Sequence, residues 1–92
     1  MQGQDELSLR ILVNTLLTCL RRLYQANRLV EARVTATLIE NIPQNSSIIL
    51  EKLVAKYYLD LLNENEQDAR DIVEFLKETG YEKFLYFDNI SS

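Results

Sequence analysis

Apolar residues recur at helical spacing along almost the whole chain, and no stretch alternates convincingly as a half-buried strand would. The spacing predicts four helices. The first runs roughly from Glu6 to Gln25. Leu9, Leu12, Val13, Leu16, Leu17, Cys19, Leu20, Leu23 and Tyr24 make one wide apolar face, and Arg10, Asn14, Thr18, Arg21 and Arg22 occupy the other. A tight connection at Ala26-Asn27 leads to a second helix, about Arg28 to Asn41. Leu29, Ala32, Ala36 and Ile39 lie on one side of it, and Pro43 stops it. In the polar loop that follows, Ser46 or Ser47 is placed to cap the third helix, which runs to about Asn63. That helix is apolar nearly all round, with a narrow polar arc of Lys52, Lys56, Asp60 and Asn63. Such a helix is sandwiched between neighbours or awaits a partner. Asn65 is placed to cap the fourth helix, and Gly80 to end it. Ala69, Ile72, Val73, Phe75 and Leu76 are expected to face inward. Four of the eight aromatics (Tyr81, Phe84, Tyr86 and Phe87) fall in the closing YEKFLYFDNI, which is expected to start a short fifth helix.

The chain repeats itself. VEARVTATLIENIP, from Val30, and QDARDIVEFLKETG, from Gln67, share an acidic residue, an Ala-Arg pair, an apolar-spaced run and a breaker. At an offset of 37 residues, Glu31-Ala32-Arg33 overlays Asp68-Ala69-Arg70, Leu16 overlays Leu53, Leu17 overlays Val54, and Tyr24 overlays Leu61. Each unit is a helix, a short turn and a second helix. A helical hairpin repeated at about 34 residues marks tetratricopeptide-type solenoids. The small alanine early in each second helix lets the two helices approach closely. The predicted fold is therefore all-α: one domain over residues 1–92, a tetratricopeptide-like stack of two helical hairpins plus a short C-terminal helix. Leu20 and Tyr57 stand where that repeat usually carries a small residue.

Composition narrows the function. At 92 residues and 47% hydrophobic content, the chain is one small domain with an apolar surplus that hints at an interface. The net charge of −4 is uneven: residues 1–33 carry +2 and the rest −6. That balance argues against nucleic-acid and acidic-membrane partners, which need basic faces. A helical DNA-binding regulator would have to use Arg10, Arg21, Arg22, Arg28 and Arg33, and there is no basic recognition helix. A single cysteine rules out an internal disulfide and fits a reducing compartment, with Cys19 expected as a buried structural thiol. The polar, acidic start does not resemble a signal peptide, and no apolar run approaches the length of a membrane span, so a cytoplasmic location is expected.

Catalytic chemistry is poorly represented. No histidine is available for proton relay or metal ligation, and two glycines cannot build a phosphate-binding loop. Glu64-Asn65-Glu66-Gln67-Asp68 lacks the spacing and glycine of a calcium loop and is expected to be a solvated turn whose acids favour a helix start. Neither an enzyme, a metal nor a cofactor is expected.

A resemblance supplies the rest. VEARVTATLIENIP, LEKLVAKYYLDLLNENEQDARDIVEFL and the closing YEKFLYF together resemble the needle-subunit chaperones of bacterial type III secretion systems, over nearly the whole chain. The resemblance implies a cytoplasmic chaperone in a hetero-oligomer. Its concave apolar groove would hold the amphipathic C-terminal helix of a needle subunit and prevent premature polymerisation, acting with a small helical co-chaperone. In such repeats the first helix of each hairpin lines the concave side. That places Leu17, Arg21 and Tyr24, then Val54, Tyr58, Leu61 and Leu62, in the client groove, with Tyr81, Phe84 and Leu85 closing its end. Leu9, Val13 and Leu16 become candidates for the co-chaperone contact. Each of these residues is equally suited to plain core packing. The alternative function is a generic tetratricopeptide-like adaptor, or a chaperone for an effector or translocon client.

Overall fold

A computed structural model describes the backbone of residues 2–85 and the side chains of 6–83 and 85. Tyr86 and Phe87, and the side chain of Phe84, lie outside the described residues. The chain is all-α. Helices α1 (Gln2–Gln25), α2 (Leu29–Glu40), α3 (Ile49–Leu62) and α4 (Glu66–Thr79) are joined by short connections. A 3-10 turn at Ser46–Ile48 precedes α3, and a second, at Glu82–Leu85, follows α4. The expected fifth helix is, as far as it is described, this one short turn.

Each helix packs on the next, and α1 also touches α3; among the described residues no Cα of α4 comes within 8 Å of one in α1. The result is a stack of two hairpins. Val13, Leu17, Leu20, Ala32, Ala36, Ile39, Ile48, Val54, Ala55, Tyr58, Ile72, Leu76 and Leu85 form one continuous core. Helix α3 contributes to it from an unusually wide arc because it lies against α1, α2, α4 and the last 3-10 turn. Its composition left open whether it lies between neighbours or awaits a partner; it lies between neighbours, with Ile49 still exposed.

The turn within each hairpin has the same construction. Asn27 and Glu64 are 37 residues apart, and both take φ = 63°. Arg28 N–H donates to Leu23 O (2.9 Å) and Asn27 N–H to Tyr24 O (3.0 Å); Asn65 N–H donates to Asp60 O (2.8 Å) and Glu64 N–H to Leu61 O (3.2 Å). These paired bonds satisfy the last carbonyls of the first helix while the left-handed residue reverses the chain. Gly80, at φ = 85°, closes α4 in the same way, with Tyr81 N–H on Leu76 O. The repeat is thus written in backbone geometry as well as in the Ala-Arg match.

Several expectations are corrected. Cys19 is exposed, because the apolar arc of α1 is narrower than its spacing implied and Cys19 lies beyond its edge with the half-exposed Leu12. Leu29 and Phe75 are likewise exposed, at the margins of α2 and α4. Asn45 caps the turn before α3, in place of a serine: its Oδ1 accepts from Ser47 N–H at 2.8 Å. Asn65 occupies the capping position of α4, but its side chain makes no capping bond there.

Candidate functional site

The expected groove residues divide into three groups. Leu17, Val54 and Leu85 have essentially no accessible surface and are core. Arg21 and Tyr58 are also buried. Tyr24, Leu61 and Leu62 are half-buried, and Tyr81 is exposed.

The residues at the centre of this set do come together. Tyr58 meets Tyr24 edge to face, with centroids 5.2 Å apart, and Tyr57 likewise at 5.3 Å. The Tyr58 hydroxyl donates to the carbonyl of Leu85 at 2.7 Å. Burial pushes the Tyr58 phenol up to about 12, while the charge of the neighbouring Arg21 guanidinium pulls the other way. Tyr58 is therefore a neutral donor across the physiological range. The last 3-10 turn is pinned over α3 by this bond, so Leu85 and Val54 pack against their own fold. The sequence reading put these side chains in a client groove; Leu17, Arg21, Val54, Tyr58 and Leu85 are instead buried within the fold. Spacing could not show that the C-terminal turn folds over them.

Of the expected co-chaperone contacts Leu9, Val13 and Leu16, only Val13 is withdrawn from the surface. Val13 is completely buried, and Leu9 and Leu16 are half-buried against the core. The exposed apolar residues of α1 are Leu7, Ile11 and Leu12. Leu7 and Ile11, one turn apart and off the main stripe, carry a signal that was present in the spacing. Helix α2 has a more obvious stripe: Val30, Val34 and Leu38 recur every fourth residue and are 75%, 55% and 53% exposed.

Between α3 and α4 lies a cleft of about 210 Å³ lined by Tyr57, Leu61, Glu66, Ala69, Arg70 and Val73. Arg70 reaches Glu66 across 3.8 Å, with both side chains more than two-thirds exposed, a contact worth little in energy. Asp60, in the last turn of α3, is 4% exposed and has one carboxylate oxygen without a hydrogen-bond partner among the described residues. Burial raises its pKa, against the opposing pull of Lys56 at 3.8 Å.

Among the described residues, no cluster of three or more His, Cys, Asp or Glu could hold a metal ion, and no helix is long and apolar enough to cross a membrane. Compared with protein-family models, curated proteins and solved structures, the chain finds no significant match.

Proposed function

We propose that the protein is a helix-binding chaperone of bacterial type III secretion. It acts in the cytoplasm, where it holds the amphipathic C-terminal helix of a needle subunit together with a small helical co-chaperone. The observation that carries this reading is the uncovered apolar surface: the stripe Val30, Val34, Leu38 on α2 and the exposed Leu7, Ile11 and Leu12 on α1. Apolar side chains clustered on the outside of a folded domain, with a complete core beneath them, mark surfaces meant for another chain. The net charge of −4 supports a protein partner over a polyanion. Tyr24, Leu61, Leu62 and Tyr81 are the members of the expected groove that keep accessible surface, and the client helix would engage these.

Co-expression with a needle subunit and its small co-chaperone, followed by size-exclusion chromatography with mass determination, tests the reading. A discrete soluble heterocomplex is expected, and Tyr81→Asp should weaken it while helicity is retained. A needle subunit that still polymerises, with no complex, would overturn it and leave unbiased pull-downs to find another client.

A further inference from the structure

A linear stack of helices has two ends, and the ends of this one are complementary. Helix α1 forms one end and α4 the other. On α1, opposite the buried Val13, Leu17 and Leu20, runs an exposed row of Leu7, Ile11, Thr15 and Arg22. Leu7 and Ile11 are more than half exposed. The Thr15 hydroxyl donates back to the carbonyl of Ile11 at 2.8 Å, so that side chain offers its methyl outward. A single stack usually carries a polar face at each end, and this end is apolar with a cation at one side.

Helix α4 carries a different row. Asp68, Asp71, Phe75 and Glu78 are spaced three, four and three apart, and all are exposed. They lie away from the cleft lined by Ala69, Arg70 and Val73. Phe75 is about half exposed and is ringed by these carboxylates. Among the described residues none of the three forms an ion pair. The basic side chains of α4 are engaged elsewhere, Arg70 with Glu66 at 3.8 Å and Lys77 with Glu82 at 4.0 Å. Arg10 and Arg22, both exposed on α1, likewise have no carboxylate partner among the described residues.

We propose that the outer row of α1 docks on the exposed row of α4 of a second copy, head to tail. Laid antiparallel, as successive helices of the stack are, the two rows fit in one register. Phe75 sits between Ile11 and Thr15, which cover the two sides of its ring. Asp71 then falls beside Cys19, Asp68 beside Arg22, and Glu78 level with Arg10. The apolar contact is central and the charge pairs flank it, so the charges fix register and direction more than affinity. The two faces differ, so each pair of copies keeps one of each unused. Association therefore continues past the dimer or closes into a ring. The contact leaves the α2 stripe and the half-buried Tyr24, Leu61 and Leu62 uncovered.

Cys19, the single cysteine and exposed, makes the register testable by cross-linking. A short bismaleimide can join the parent chain only from Cys19 to Cys19, which stops at a dimer. Asp71→Cys should give a ladder beyond the dimer, with Cys19 linked to position 71 of the next copy in the tryptic digest. Adding Cys19→Ser should abolish the ladder, and Thr37→Cys on α2 should not produce one. In the Asp71→Cys chain, Arg22→Glu or Asp68→Arg alone should cut ladder formation at least about tenfold by placing like charges together. An equimolar mixture of those two variants should restore it, a rescue that a merely unfolded variant could not give. All substituted positions are exposed, and circular dichroism checks each variant. Absence of the ladder overturns the proposal and leaves the carboxylates of α4 to a basic helix of another protein. Cys19–Cys19 dimers alone, a ladder indifferent to Arg22→Glu, or no rescue in the mixture overturn it too. The assay contains only this chain, so its failure leaves the needle-chaperone reading standing, and the reverse holds.

Discussion

At the scale of single residues, two side chains are held in unfavourable conditions. Glu64 adopts a left-handed backbone that residues other than Gly, Asn and Asp rarely visit. Glycine would relieve a strain of about 1–2 kcal/mol and give back part of it through the greater freedom of the unfolded chain. Glu64→Gly should therefore stabilise the protein by about 0.5–1 kcal/mol, visible as a rise of a few degrees in thermal midpoint. Asp60 is the other. Its folded pKa lies above the ordinary value of 3.8, so the folded state binds its proton more tightly than the unfolded one. The contribution to stability is then fully present below the unfolded pKa and is lost as pH rises through the folded one. Asp60→Asn should be more stable than the parent at neutral pH, and the advantage should disappear in urea titrations near about pH 3. Glu31 works in the opposite sense: the hydrogen bond from Arg28 lowers its pKa, so its contribution is lost as pH falls. Comparing variant with parent removes that shared term.

At the scale of elements, the alanines early in α2 and α4 set how closely each hairpin closes. Ala32 is completely buried, while Ala69 is nearly so but lines the open cleft. Enlarging both tests the difference between a filled and an unfilled equivalent position. Ala32→Leu should cost about 1–3 kcal/mol in chemical denaturation, whereas Ala69→Leu, with space beside it, should cost less than about 1 kcal/mol. The helices themselves were legible because three-and-four spacing marks a helix however its neighbours lie. Gly80 as a terminator and the repeat offset were equally legible, since backbone conformation and self-similarity are properties of the chain alone. The exposure of Cys19 and Phe75 was not: the width of a buried arc depends on how many partners a helix has, and α1 and α4 each have fewer than α3. Asn45 displaced the serines as cap because a 3-10 turn begins the chain's re-entry one step before the α-helix does.

For the molecule as a whole, sequence and structure agree on a linear stack of hairpins and part company over its interior. The groove residues were assigned from which helix lines a concave side, and that argument treats the C-terminal segment as a distant cover. The bond from Tyr58 to Leu85 makes the segment part of the core instead. The arrangement has a further consequence for how the fold comes apart. Since α1 and α4 do not approach each other, cooperativity between the two ends passes through α3, and stability is distributed along the stack like coupled links in a line. The terminal link, α4 with its last turn, can open while the first hairpin and α3 stay closed. Such a partly opened form releases the Tyr58 hydroxyl from Leu85 without global unfolding, so access to the interior there is governed by fraying at one end of the stack.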